Sequence, residues 1–349
     1  MTTTVSTKPQ NLCDDRNASL PSVAEVLPNE LSLDHPARLV RVAPYFTSRL
    51  GAAYCGDSLE MLKNLPPESV NLVVTSPPYA LHFKKAYGNE HKDRYVKWFL
   101  PFAKEIQRVL ANDGSFVLNI GGSYNKGTPT RSIYHFKLLI ALVEEIGLHL
   151  AQECFWYNPA KMPVPAEWVT VRRMRVRDSV EYVWWLSKTP YPKASNLNVL
   201  KEYSEDMIRL NRNGVRGTTR PSGHVIRDSF DKIDAGGAIP SNVTEAEFDI
   251  PESMMKMGNN SANDIYTKRC KDEGIKIHPA RFPALLPRFF IKLLTEANDL
   301  VLDPFAGSLT AGAVAEQLDR RWIAGEAVEE YLRAGKFRFL GFTENPRLF

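Results

Sequence analysis

The chain has 349 residues, 44% of them hydrophobic, a net charge of +4 and only four cysteines. No cysteines form a CxxC pair, which argues against a disulfide scaffold or a zinc site and fits a reducing cytoplasm. The first 30 residues lack an apolar core segment and no charge-free stretch approaches bilayer length, so neither a secretory signal nor a membrane span is expected.

Residues 1–35 are rich in Thr, Ser, Asn, Asp and Pro without apolar periodicity, and a mobile tail is predicted there. Strands and helices then alternate, the pattern of a largely parallel sheet with helices on its faces. Ala52–Cys55 reads as a strand, Ser58–Asn64 as a short helix after Asp57, and Val70–Thr75 as a second strand. A helix from Tyr95 is expected to end at Asn112-Asp113-Gly114, before a strand at Ser115–Ile120. Ile133–Ile146 reads as a helix, and Leu148–Tyr157 and Val180–Ser187 as strands. Residues 189–277 lose this rhythm and are rich in Arg, Asn, Ser, Gly and Met. It returns with a helix at Ala284–Glu296, a strand at Asp299–Leu302, a helix from Leu309 to Gln317, a strand at Arg321–Ala324 and a last helix from Val328. Trp184-Trp185 and Cys154 are expected in the core, with Cys55 as a packing residue.

Two loops carry the chemistry. Thr75-Ser76-Pro77-Pro78-Tyr79 ends the Val70–Thr75 strand. Consecutive prolines cannot extend a strand, so the chain breaks into a stiff loop. That loop holds carbonyl and hydroxyl acceptors beside an aromatic ring, at the strand end where ligands bind in open α/β sheets. A plain proline turn with Tyr79 as packing is the alternative. The second loop, Asp303-Pro304-Phe305-Ala306-Gly307-Ser308, joins a strand to a helix, and Glu326 lies 19 residues after Gly307. Small residues at such a turn admit a ligand to the backbone, and an acid about 20 positions on is placed to take two ribose hydroxyls. Alternatively, Asp303 caps the turn and Glu326 is a solvated helix-start carboxylate. The loop is not a phosphate-binding P-loop, because no Gly-Lys-Ser/Thr follows, and the lack of GxGxxG disfavours a nicotinamide cofactor; the pair points to a nucleoside-containing cofactor, with a nucleotide-dependent oxidoreductase as the alternative.

These segments resemble the amino-group DNA methyltransferases of bacterial restriction–modification systems. Asp303–Ser308 is similar to their S-adenosylmethionine loop and Thr75–Tyr79 to their catalytic loop. The catalytic loop comes first and a variable region lies between, which looks like the permuted "beta" order. Gly56-Asp57-Ser58 is similar to a segment set against the cofactor's adenine, and His278-Pro279-Ala280-Arg281-Phe282-Pro283 to one that completes the pocket. The resemblance implies a Rossmann-like α/β methyltransferase sheet with an inserted target-recognition region. Residues 36–188 would be the catalytic half, 189–277 the recognition region and 278–349 the cofactor half.

Ser76, Pro77, Pro78 and Tyr79 would then be catalytic. Asp303, Pro304, Phe305, Ala306, Gly307, Ser308, Glu326, Asp57 and Phe282 would bind cofactor. Ser before Pro-Pro goes, within the family, mostly with N4 of cytosine; N6 of adenine is the alternative. The partner is double-stranded DNA, with the base flipped into the pocket, Tyr79 stacking on it and the Pro77 carbonyl and Ser76 hydroxyl holding its amino group. Methylation at carbon 5 is excluded, because none of the four cysteines follows a proline. Arg209, Arg212, Arg216, Arg220 and Arg227, with no acid between Met207 and Arg227, are expected to contact DNA. Arg172, Arg173, Arg175 and Arg177 form a second basic cluster. Ala80–Arg94 is expected to be a lid. No metal is expected. The protein is read as a cytoplasmic monomer paired in function with a restriction endonuclease.

Overall fold

The computed structural model describes residues 32–80, 88–158, 161–213, 218–219, 225–226, 236–245, 265–281 and 283–339. Its strands, in chain order, are β1 (Phe46–Thr47), β2 (Gly51–Cys55), β3 (Val70–Thr75), β4 (Leu110–Ile120), β5 (His149–Tyr157), β6 (Val180–Ser187), β7 (Thr218–Thr219), β8 (Val225–Ile226), β9 (Val243–Glu245), β10 (Leu300–Asp303) and β11 (Arg321–Glu326). The helices are α1 (Ser58–Asn64), α2 (Tyr95–Val109), α3 (Tyr134–Glu144), α4 (Glu205–Asn213), α5 (Ile265–Asp272), α6 (Leu285–Leu294), α7 (Thr310–Gln317) and α8 (Glu329–Gly335).

Nine of these strands form one sheet in the order β1-β2-β11-β10-β3-β4-β6-β5-β9; β7 and β8 pair separately. The five central strands, β2, β11, β10, β3 and β4, are parallel to their neighbours. Sequence order and spatial order differ: β10 and β11, from the end of the chain, insert between β2 and β3 from its beginning. Loops far apart in sequence therefore leave the same edge of the sheet side by side.

Both faces of the sheet are covered. On one face Leu62, Phe99, Ile106 and Leu138 pack against Ala52, Val73, Leu300 and Leu302. On the other Phe290, Ile291, Val314 and Leu332 pack against Ala53, Leu72, Val74 and Val301. Successive strand residues alternate between the two cores, so a strand buried on both faces reads as a continuous apolar run. Trp184 is fully buried and Cys154 nearly so, and burial pushes the Cys154 thiol up to about 12. Cys55 and Trp185 are half-buried, and the Trp185 indole N–H donates to Ser115 Oγ.

Two expectations are corrected. The segment Asn112-Asp113-Gly114 does not form a helix-ending turn. Leu110 already pairs with Val70, and the register shifts before Ser115 meets Leu72. The three residues form an irregularity inside β4, anchored where the amides of Lys188 and Lys193 donate to the carbonyls of Gly114 and Asp113. Pairing with a buried strand outweighs the local turn preference. Ordered chain also begins before residue 36. His35 is buried, with Nε2 in a hydrogen bond to the Ser48 carbonyl and Nδ1 accepting from the Ala37 amide.

One close approach limits the central sheet. Gly51 pairs in register with Trp322, and a Cβ at Gly51 would lie 2.2 Å from the indole. That indole is fully buried, and its N–H donates to Glu316. Gly51→Ala is expected to destabilise the chain by about 1–3 kcal/mol through overpacking, measured as a lower midpoint of chemical unfolding with the slope unchanged.

Candidate functional site

The parallel strands end together, and their C-terminal loops form the site. On β10, Asp303 is 2% exposed. Its Oδ1 accepts from Thr75 Oγ1 at 2.6 Å and from the Phe305 amide at 3.1 Å. The bond to Thr75 ties the last residue of β10 to the last residue of β3. Asp303 Oδ2 is buried and has no partner. Burial raises this carboxyl from 3.8 to about 7, against the two hydrogen bonds that favour the charged form. Asp303 thus caps its turn and also holds out a second oxygen for a donor.

The rest of the loop is built around Glu326, at the end of β11. Its Oε2 accepts from the Gly307 amide at 2.8 Å and its Oε1 from the Val328 amide at 2.9 Å. The Ala327 amide is a third backbone donor to this carboxylate, which leaves one lone pair open. Burial raises this carboxyl too, against those backbone donors. Gly307 has φ +50, and a Cβ there would meet the His278 ring at 3.1 Å, so glycine is required both conformationally and sterically. Pro304, Ala306 and Ser308 are buried. Arg338 fixes Ser308 by donating to its carbonyl at 2.7 Å. Phe305 packs among Trp98, Phe99 and Phe102, with ring centroids 5.0–6.1 Å apart. It therefore anchors the loop to α2.

Asp57 is exposed and caps α1, its carboxylate accepting from the Leu59 amide at 2.8 Å. The neighbouring Gly56 amide donates to the Glu326 carbonyl at 3.0 Å, which sets Asp57 beside the Glu326 loop. Phe282 lies outside the described residues. His278, from the same segment, stacks edge-on with Tyr331, and burial holds its ring nitrogen down to about 4. It forms a neutral wall of the site at physiological pH.

On the next strands, the other loop forms a second polar cluster. Ser76 Oγ donates to the Tyr79 hydroxyl at 3.3 Å, and Tyr79 donates to Glu181 Oε2 at 2.7 Å. Asn119 Nδ2 donates to the Tyr79 hydroxyl at 3.2 Å. Lys161 closes the chain with an ion pair to Glu181 Oε1 at 3.0 Å. The Tyr79 ring lies against Gly121, where a Cβ would come within 2.5 Å of it. Its phenol is raised well above the ordinary value, first by burial and then by the Glu181 charge. Asn119 Oδ1 is buried without a partner. Both clusters thus offer an unpaired buried acceptor, an arrangement suited to a ligand rich in donors.

Asn119, Glu181 and Lys161 were not singled out in the sequence. The available signal was a polar residue inside an apolar strand: Asn119 in Phe116–Ile120 and Glu181 in Val180–Ser187. Of the expected nucleic-acid arginines, Arg209 and Arg212 are exposed on α4, Arg209 lying 3.6 Å from Asp206. Arg216, Arg220 and Arg227 lie outside the described residues, as does part of the expected lid, residues 81–87. Lys92, at that segment's end, donates to Asn125 Oδ1. Among the described residues no group of three or more His, Cys, Asp or Glu could hold a metal ion, and no helix is long and apolar enough to cross a membrane.

The comparisons converge. The family described as DNA methylase matches residues 70–337. The type II methyltransferase M.PvuII of Proteus hauseri is 49% identical over 300 residues, covering 85% of this chain and 86% of the relative. M.BglII of Bacillus subtilis is 25% identical over 88% of this chain and 71% of its own length. A solved structure described as PvuII DNA methyltransferase (cytosine-N4-specific) superposes with a TM-score of 0.67 at 43% identity, covering 86% of this chain and 90% of that one.

Asp303 supplies a pH test. Its carboxyl is raised in the folded chain, so the folded state binds the proton more tightly. Stability from the protonated acid is complete below about 4 and is lost as pH rises through about 7. The thermal midpoint of the ligand-free chain is expected to fall over that window, and Asp303→Asn to flatten part of the slope.

Proposed function

The chain belongs to the DNA methylase family, and from that premise we propose that it transfers the methyl group of S-adenosylmethionine to the N4 amino group of a cytosine in double-stranded DNA. The observation that carries this reading is the juxtaposition, on neighbouring strands, of a carboxylate pair, Asp303 buried and Glu326 half-buried, suited to a cationic nucleoside and an acceptor cluster suited to an amino group. The choice of cytosine over adenine rests on M.PvuII, 49% identical, and on the cytosine-N4-specific enzyme whose structure superposes.

S-adenosylmethionine, when bound, supplies an electrophilic methyl on a sulfonium sulfur that departs as a thioether without needing a proton. Its ammonium and ribose hydroxyls fit the two carboxylates: the buried Asp303 Oδ2, which has no partner among the described residues, and the remaining lone pair of the half-buried Glu326. Asp57, beside Glu326, and Phe282 are assigned to the adenine side, following the resemblance.

The amino nitrogen of cytosine is a weak nucleophile, because its lone pair is delocalised into the ring. Ser76 Oγ donates to Tyr79 and accepts from Asn119 Nδ2 at 3.5 Å, which leaves one lone pair for an amino hydrogen. The Pro77 carbonyl is the other acceptor. Two such bonds fix the amino group and draw its lone pair out of conjugation. The proton lost after transfer has a path: from the amino group to Ser76 Oγ, from Ser76 to the Tyr79 hydroxyl, and from Tyr79 to Glu181. Lys161 stabilises the Glu181 charge at the end of that path. Residues 189–277 are assigned to DNA recognition through Arg209, Arg212, Arg216, Arg220 and Arg227. We further assign the chain to the cytoplasm as a monomer, guarding host DNA against a restriction endonuclease with which it makes no stable complex.

Mass spectrometry of nucleosides from an expressing host should show N4-methylcytosine. N6-methyladenine alone would move the assignment to the other base, and neither product would end the reading. Ser76→Ala should lower kcat by about 10²-fold or more, the usual scale of proton-transfer catalysis, with the Kd for S-adenosylmethionine unchanged. That Kd should tighten as pH rises through about 7, where Asp303 ionises, and Asp303→Asn should remove most of the dependence.

A further inference from the structure

The connection between β5 and β6, residues 158–179, forms an arm at the catalytic edge. β6 runs antiparallel to β4, with Ile120 opposite Tyr182, so the arm leaves the sheet where β3 and β4 end. Connections of this length are uncommon in compact domains unless they carry function. Both of its legs are tied to the catalytic cluster or its surroundings. Lys161 pairs with Glu181, which holds Tyr79. On the returning leg, Asp178 accepts from the Tyr124 hydroxyl and from Arg131, and Arg175 lies 5.1 Å above the Tyr124 ring.

The outer part of the arm has an unusual surface. Val171, Met174 and Val176 are 68%, 62% and 85% exposed. Arg172 and Arg173 are exposed between them. The arm carries five basic residues and two acidic ones; Asp178 is paired with Arg131 and Arg175, and Glu167 with Arg172 at 2.7 Å in an exposed pair that a phosphate can replace. An apolar tip in a cationic setting has the composition of side chains that enter a base stack while arginines hold the flanking phosphates. Met174 is the least exposed of the three but has the longest side chain, and its backbone is held. Its amide donates to the Trp168 carbonyl at 2.9 Å, and the next amide donates to the same oxygen at 3.2 Å. The Arg175 side chain is fixed to the Pro129 carbonyl as well as to Tyr124. The backbone is therefore held while the long unbranched side chain of Met174 projects.

We propose that this arm enters the DNA duplex at the target base pair, Met174 filling the place of the extruded base and Arg172 and Arg173 contacting the flanking phosphates. The inference rests on the reading of the protein as a methyltransferase that flips its target. Without the wedge, the extruded base would leave an unstacked gap and return faster.

The test uses the full chain and the site located by methylation-aware sequencing, in a paired duplex with cytosine at the target position and, for fluorescence alone, in the same duplex with 2-aminopurine replacing that cytosine to report unstacking. A second duplex carries the target cytosine in a mismatch, where extrusion is easier. Met174→Ala should lose most of the 2-aminopurine signal. It should lower kcat/KM by about tenfold on the paired duplex and less than about twofold on the mismatched one, since a mismatch removes part of the cost of extrusion. Met174→Leu should retain the signal, and the Kd for S-adenosylmethionine should be unchanged in both variants. Equal loss on both duplexes, or a 2-aminopurine signal in Met174→Ala equal to that of the unsubstituted chain, would overturn the proposal. The unsubstituted chain is assayed alongside. Its methylation of the paired duplex with no effect of Met174→Ala counts against the arm alone, whereas its failure to methylate either duplex counts against the functional reading beneath it.

Discussion

The hydrogen bond from Thr75 to Asp303 joins two strand ends that are 228 residues apart in the chain. It exists because β10 lies directly beside β3, with Val301 opposite Leu72 and Leu302 opposite Val73. That register brings Asp303 and Thr75 together at the edge of the sheet. The loop that follows Asp303 and the loop that follows Thr75 then start from one rigid point. Methyl transfer between two bound molecules depends on such shared placement, because a small displacement of either partner costs rate steeply. The apolar packing on both faces of the sheet supplies the rigidity.

The carboxylates of the site divide by their surroundings. Asp303 and Glu326 lie at the ends of adjacent strands, and both are raised by burial. The Glu326 charge adds to the rise of Asp303. This half of the site is electrostatically incomplete by itself and favours a cationic, hydroxyl-bearing ligand. Glu181 is different: Lys161 is its counter-ion and Tyr79 its donor. Its partners lie within the protein, so it can orient Tyr79 and, through it, Ser76 without a ligand. One carboxylate pair is shaped for binding and the single carboxylate for positioning and for receiving a proton.

The chain thus places its chemistry on one edge of one sheet. The cofactor loop, the Ser76–Tyr79 loop, Asn119 and the 158–179 arm all leave from it. The residues that anchor the arm, Lys161 and Asp178, bracket the strand end that carries Glu181.

Much of this was legible in the sequence. The strands at Val70–Thr75 and Val180–Ser187 and the helix at Ser58–Asn64 match the structure residue for residue, because apolar runs and a capping acid are local signals. The two loops were legible because Pro-Pro and a glycine at positive φ restrict the backbone wherever they occur. Asn112-Asp113-Gly114 was not, because its local turn preference yields to pairing between Leu110 and Val70, a contact no local pattern encodes. Asn119, Glu181 and Lys161 escaped for the same reason. Each is an unremarkable polar residue until the antiparallel pairing of β4 with β6 brings the strand ends together. Local pattern is enough to mark Thr75–Tyr79 and Asp303–Ser308 as stiff, polar loops at strand ends. Which side chains meet there follows from the fold, because strand order in the sheet is set by long-range packing and not by position along the chain.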